Sequence, residues 1–214
     1  MDVVFDNLDV FWEGFLGTLK LTAVSGVLAL LLGTLLATMR VAPAPPVRGA
    51  GTVYVEVVRN TPLTIVFFFA VFVLPQLDVG LSFFGAAVLA MSVYHAAFFC
   101  EAVRSGINSV GVGQAEAARS IGLTFTQTLR HVVLPQAFRT VIPPLINVFI
   151  ALTKNTSIAS AFAVTELISV GSRLSTDTGR PLPILIGVAF FYLLITIPSG
   201  LLAGNVEKRV AVAR

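Results

Sequence analysis

The residues that could carry chemistry are few and far apart. The chain has two histidines, His95 and His131, one cysteine, Cys100, and three lysines, Lys20, Lys154 and Lys208. No lysine is preceded by glycine, so the phosphate-cradling pattern G-x-x-x-x-G-K-[ST] does not occur. Such spacing yields no nucleophile–base pair and no metal-ligand cluster, so no catalytic residue and no metal site is expected. The other notable polar groups are embedded in apolar sequence, where they serve recognition and charge pairing rather than bond-making. They are Glu56, Arg59, Asn60, Thr61 and Pro62; Glu101 and Arg104; the stretch 113–135; and Lys154, Asn155, Thr156 and Ser157.

The elements that position them must stand in lipid. Of 214 residues, 56% are hydrophobic and 12% charged, where soluble domains carry about 25% charged residues; the mean hydropathy is +0.91. The fold class is therefore an all-α integral membrane protein, one domain over residues 1–214, with no room for an additional soluble catalytic domain. Five spans are expected at about 15–39, 53–74, 83–104, 135–153 and 182–205, with a polar loop over 105–134. Arg40 and Arg48, then Arg104, Arg119, Arg130 and Arg139, then Lys208, Arg209 and Arg214 gather on one side, which the positive-inside rule makes cytoplasmic. Asp2, Asp6, Asp9, Glu13 and Asp78 fall on the other, so the N-terminus is expected outside and the C-terminus inside; Arg173 and Arg180 are exceptions in a long external loop. The acidic first residues lack the basic start of a secretory signal, so the first span is expected to be retained. The net charge of +3 reports this topology, and nucleic acid is not an expected partner.

Each polar group has a functional and a plainer reading. Pro62 removes a backbone donor early in the second span, which lipid tolerates only where protein or water satisfies the freed groups. Residues 56–62 are thus either a pathway-lining segment, or a place where Arg59 snorkels to headgroups with Glu56 paired at i,i+3. His95 lies inside the third span with no titratable neighbour on its own helix before Glu101, which favours a structural hydrogen bond over a proton relay. Glu101 and Arg104, spaced i,i+3, read as an ion pair that fixes the following loop. Pro143 and Pro144 interrupt the fourth span, which places it centrally near a path or cavity. Residues 154–181 are expected to hold a short external helix, with Ile158, Ala161, Phe162, Thr165 and Ile168 or Ser169 on one face.

Between the third and fourth spans, Gln114, Glu116 and Arg119 give one helical face polar character and Ala115, Ala117, Ala118 and Ile121 give the other a small apolar one, with Gly122 as a natural stop. A second short helical piece is expected to run up to Pro135. By composition this is an interfacial helix. Its residue order says more. Glu116-Ala117-Ala118, then Gly122, then Val132-Val133-Leu134-Pro135 resembles the EAA loop of bacterial ABC importer permeases. Glu101-Ala102-Val103-Arg104-Ser105-Gly106-Ile107, Gly113-Gln114, Leu134-Pro135-Gln136-Ala137, Lys154-Asn155-Thr156-Ser157, and Glu56, Arg59, Thr61, Pro62 and Leu63 resemble, in order, the motifs of the polar amino-acid branch, which takes up histidine, glutamine, arginine or glutamate.

That resemblance implies a type I ABC importer permease fold in a bacterial inner membrane. In it Gln114, Glu116, Ala117, Ala118 and Gly122 belong to a cytoplasmic coupling helix that docks on an ABC ATPase dimer. It also implies a second permease subunit, identical or not, and an extracytoplasmic solute-binding protein. This chain would bind no cofactor, with ATP and Mg on the partner ATPase. Arg59, Asn60, Thr61, Pro62, Lys154, Asn155, Thr156 and Ser157 are the substrate-pathway candidates, and Glu101, Arg104 and Pro135 the structural ones. Within the spans' charge-free interiors no carboxylate awaits a cationic amino acid, while Arg59 and Lys154 could attract a substrate carboxylate, so glutamate or glutamine is favoured. The competing reading is a proton-coupled secondary amino-acid carrier using His95, Glu101 and Glu56. It lacks the internal repeat that many such carriers show.

Overall fold

The computed structural model describes residues 2–211, and Arg214, grouped above with the cytoplasmic basic residues, lies outside them. All regular structure among these residues is helical: α1 (Asp2–Phe5), α2 (Leu8–Arg40), α3 (Pro45–Arg59), α4 (Leu63–Phe68), α5 (Phe83–Asn108), α6 (Val112–Ser120), α7 (Phe125–Thr128), α8 (Leu134–Asn155), α9 (Leu167–Thr178) and α10 (Pro181–Ala211). Four runs are long and apolar enough to cross a membrane: Leu8–Arg40, Phe83–Gly106, Phe125–Phe162 and Pro181–Arg209. A bent pair makes a fifth. Their exposed surface is dominated by large apolar side chains, such as Leu31, Leu35, Phe69, Leu182 and Leu201, as lipid requires.

Small residues make the core. Lys20 lies over the Phe84 ring, the Ser92 hydroxyl donates to the Ser25 carbonyl, and Gly33 abuts Ala96 and Phe99. Positions on α2 and α5 thus advance together, so the two helices run in the same direction. A Cβ at Gly33 would stand 2.6 Å from Phe99 Cβ and 2.7 Å from the Ala96 carbonyl oxygen. Backbone approach this close is how helices associate without a hydrophobic drive between them. α8 runs the opposite way along α5: Thr140 meets Ser109, Phe149 meets Phe99, and Asn155 meets His95. The far end of α8 therefore reaches only the middle of α5.

The second span departs from expectation. It is no straight helix over 53–74. Pro45 and Pro46 open α3 at its first turn, where a missing N–H costs nothing, so α3 starts inside what reads as a helix-breaking loop. α3 then ends at Arg59, and the run Leu63–Leu77 leaves it at 104°. Pro62 sits at the break in extended conformation, which ends the preceding helix and starts the next. Span one is longer than 15–39, because α2 continues outward to Leu8 to pack Phe11 and Gly14 on α9 and α10.

Three other expectations change. Pro143 and Pro144 do not interrupt α8, which stays helical through them. Pro135 does not end a helix either. A π turn over Leu129–Val133, with the Leu134 N–H donating to the Leu129 carbonyl, widens the helix just before the proline. That leaves room for the ring that would otherwise strike the preceding turn. The short helix expected within 154–181 is α9, and it begins at Leu167; its buried face is Leu167, Val170, Gly171 and Leu174, while Ile158, Ala161 and Phe162 lie in a 3-10 stretch, Thr156–Phe162. The left-handed Ala163 separates the two and resets the face.

Candidate coupling surface and polar groove

α6 is a nine-residue helix that stops where its sequence says it should. Gly122 holds φ +91, and the Leu123 N–H returns to the Ala118 carbonyl at 3.2 Å, closing the last turn. The Thr124 hydroxyl and the Gln127 side chain then cap α7 reciprocally. Gln114, Glu116 and Arg119 are exposed, as their polarity demands. The small apolar face is left largely open by this chain. Ala118 alone is buried; Ala117 is exposed, Ala115 half-buried, and Ile121 points outward at 81% exposure. Val112 and Phe125 are 73% and 74% exposed beside it. Val112 and Ile121 lie outside the candidate spans and Phe125 opens the run Phe125–Phe162; large apolar side chains this exposed around a polar loop helix mark a contact surface.

The second feature is a polar groove between α5 and α8. A cavity of about 670 Å³ is lined by Glu101 and Ser105 from α5, Ser109 just after it, Thr140 and Asn147 from α8, and Glu207 from α10. Both Pro143 and Pro144 border it, so the α8 prolines do lie at a cavity. A second cavity of about 350 Å³ adjoins it, sharing Phe98, Asn147 and Val148, and is lined by His95 and Asn155. His95 is buried. Its Nδ1 lies 2.9 Å from the Met91 carbonyl, which can only accept, so Nδ1 carries the proton. The Nε2 lone pair is then free to accept from Asn155 Nδ2 at 3.1 Å. Both ring nitrogens are occupied by hydrogen bonds.

The Glu101 end of the groove is charged. Glu101 is the shared partner of three arginines: Arg40 on α2, in direct contact; Arg104 one turn on, at 3.6 Å; and Arg59 at the end of α3, at 3.9 Å. The expected Glu101–Arg104 pair is thus present but secondary to Arg40, which sequence separation hides. Arg59 also lies over the Phe98 ring, 5.7 Å from its centroid. Glu56 does not pair with it; that side chain is exposed, and its backbone carbonyl receives the Asn60 amide.

The pathway candidates fall into two places. Arg59, Asn60, Thr61 and Pro62 lie at the α3 break beside the Glu101 cluster. Lys154, Asn155, Thr156 and Ser157 lie where α8 gives way to the 3-10 stretch, at the level of His95. Among the described residues no hydrogen bond or ion pair joins the two sets; Phe98 is the side chain that touches both neighbourhoods. Lys154 is exposed. Glu166 was missed altogether. It is completely buried, accepts from the Ser169 N–H at 2.6 Å and from the Tyr192 hydroxyl at 2.9 Å, and burial pushes its carboxyl above the usual carboxylate range. Its sequence signal is a lone acid just before an amphipathic helix, with Ser169 three residues on to complete a capping box.

The bundle thus pairs an exposed loop helix with a groove lined by polar side chains. Residues 29–212 match the family described as binding-protein-dependent transport system inner membrane component, and the chain belongs to that family. It is a permease subunit of an ABC importer for polar amino acids, a multi-pass inner membrane protein that leaves ATP to a separate ATPase subunit and catalyses no reaction itself. It is 40% identical over 210 residues to the Probable glutamine ABC transporter permease protein GlnM of Bacillus subtilis, covering 98% of this chain and 97% of that one. It is 41% identical over 221 residues to the glutamate transport system permease protein GluC of Corynebacterium glutamicum, covering 97% and 95%. A crystal structure of an amino acid ABC transporter with histidines superposes with a TM-score of 0.90 at 30% identity, covering 96% of each chain. A chain of the MetNI methionine ABC transporter in inward-facing form shares the fold, with a TM-score of 0.75 at 21% identity.

Proposed function

We propose that this subunit carries glutamine or glutamate inward along the α5–α8 groove. The observation that carries the reading is the continuity of polar groups from Asn155 and His95, through Asn147, to Thr140 and Ser109, inside an otherwise apolar bundle. Such groups are costly in lipid and are kept where a polar solute passes. The Arg59–Pro62 break stands at the inner half of this path and the Lys154–Ser157 segment at its middle. Glutamine and glutamate are supported by the names of GlnM and GluC, and Arg59 and Lys154 offer charge for a substrate carboxylate.

A second permease subunit is supported by Lys154. It is exposed on the isolated chain at the depth of His95, halfway along α5. A lysine at that depth needs a protein or water surface over it. An extracytoplasmic binding protein follows from the family description. The charge pattern supports an outside N-terminus and an inside C-terminus. α6 is the coupling helix. Glu116 offers its exposed carboxylate between Val112 and Ile121, and ATPase closure acts on the spans through the rigid α5–α6 and α7–α8 connections. The test is ATP-driven uptake of labelled glutamine and glutamate, each competed by the other, into proteoliposomes holding the purified complex. Glu116→Lys should abolish uptake while leaving membrane insertion intact. Normal uptake in that variant removes the coupling role, and uptake driven by a proton gradient without ATP restores the carrier reading.

A further inference from the structure

The Lys154–Ser157 segment is held from behind by a buried polar chain. Glu166 caps the N-terminus of α9 through Oε1, while its Oε2 accepts the Tyr192 hydroxyl from α10. With its own proton on Glu166, the Tyr192 hydroxyl can only accept from Thr156 Oγ1, 3.4 Å away, so the Thr156 hydroxyl shares its one proton between Tyr192 and the Thr153 carbonyl at 2.7 Å. The Leu167 N–H, next to Glu166, donates to Thr18 Oγ1 on α2 at 3.2 Å. Four elements thus meet around Glu166, of which α9 and α10 bond its carboxylate directly. Glu166 and Thr156 are both 0% exposed, and one residue before Thr156 the Asn155 amide turns the other way, to His95 and the groove.

A buried carboxylate is an expensive means of joining helices, since an apolar side chain would pack there at lower cost. What it adds is direction. Two fixed lone pairs orient the Tyr192 ring and the α9 backbone at once, and Tyr192 in turn fixes the side from which Thr156 can be approached. α9 presents Arg173 and Asp177 on its exposed side. Force on α9 therefore reaches the groove by a short rigid route, from the α9 N-terminus through Glu166 and Tyr192 to Thr156 and Asn155.

We propose that Glu166 is a positioning residue for transport: through Tyr192 it holds Thr156, and with it the adjacent Asn155, in the geometry that lets substrate pass. This rests on the reading of residues 154–157 as part of the path. Misplacing that segment should let ATP turn over without moving solute, so the measured quantity is glutamine taken up per ATP hydrolysed by the whole complex in proteoliposomes. A purely structural role lowers both rates together and leaves their ratio alone.

Tyr192→Phe keeps the ring and removes the hydroxyl, and should lower the ratio about tenfold, the factor that one hydrogen bond to a charged group supports. Glu166→Gln keeps an oxygen for the Ser169 N–H and offers an N–H to the Tyr192 oxygen, so it should retain the wild-type ratio where Glu166→Ala does not. Thr156→Ser against Thr156→Val reads the same link from its other end, should Glu166→Ala or Tyr192→Phe fail to assemble. Asn155→Ala is the control. If it lowers uptake while Tyr192→Phe and Thr156→Val keep the wild-type ratio, the positioning role is wrong and the path reading stands. If Asn155→Ala transports normally, the path reading fails and the positioning role goes with it.

Discussion

Replacing Glu101 by glutamine tests how the charges at its end of the groove share one carboxylate. The substitution keeps volume and removes charge. The Arg40 side chain is 10% exposed, that of Arg104 27% and that of Arg59 40%, against 33% for Glu101 itself. Orphaning one partner of a fully buried pair costs about 3–5 kcal/mol; Glu101 keeps some solvent, so the Arg40 contact should account for about 2–3 kcal/mol. Arg59, at 3.9 Å and well exposed, resembles a surface pair worth about 0–1 kcal/mol. Arg104, one helical turn away, adds about 0.3–0.5 kcal/mol. Glu101→Gln should therefore lose roughly 3 kcal/mol, which for a chain of this size lowers Tm by about 6–12 °C. The assay is a pair of double-mutant cycles on thermal unfolding in detergent, one with Arg40→Met and one with Arg59→Met. The Arg40 cycle should show a coupling at least twice that of the Arg59 cycle, and the Arg40→Met, Glu101→Gln double variant should recover most of the loss. An Arg59 coupling equal to or larger than that of Arg40 refutes the reasoning, since the α3 end and not α2 would then be the main counterion.

Gly33→Ala should cost about 1–3 kcal/mol, read as a fall in Tm and yield, because its Cβ meets the Ala96 carbonyl on a helix that cannot move aside alone. Gly122→Ala should cost about 1–2 kcal/mol locally, since an alanine resists φ +91; retention of the ATPase on the purified subunit should weaken while the Tm of the bundle holds. Glu166 should make stability pH-dependent in a direction opposite to that of an ordinary salt-bridged carboxylate. Its folded carboxyl titrates above the unfolded one, so its contribution is complete below the ordinary carboxylate range and is lost as pH rises toward the folded value. Wild-type Tm should therefore fall relative to that of Glu166→Gln between about pH 4 and the folded value, and parallel curves would show that the carboxyl is not perturbed.

What was legible in the sequence was local. Gly122 as a stop, Glu116 as an exposed acid and the apolar runs follow from backbone preference and solvent, which neighbours in sequence decide. The fold of the second span was not legible, because Pro45, Pro46 and Pro62 each break a helix or begin one depending on which residue's N–H is already free. A Glu56 pairing was one of two readings open for Arg59 because a sequence displays only pairings within a helical turn; its partner, Glu101, comes from a helix 42 positions away. How much of the α6 apolar face this chain itself covers was not legible, since α6 has little to pack against here and only Ala118 is buried. Glu166 was overlooked because a single acid in a polar connection reads as solvated, and only the close approach of α2 at Gly14 and Gly17 and of Tyr192 on α10 removes the water.

The broken second span has a consequence for the lipid around it. The run Leu63–Leu77 rises about 22 Å at helical pitch, while the hydrocarbon slab is about 30 Å thick. α3, turned 104° away, adds little to that height. Beside this run the acyl chains must shorten or yield to other protein, whereas beside α2 and α10 the helices are long enough to tilt. The subunit therefore sits in a wedge-shaped annulus, and bilayer thickness itself becomes a load on the α3–α4 corner that holds Arg59 to Pro62. Transport should speed or slow with acyl-chain length even where lipid charge is held constant.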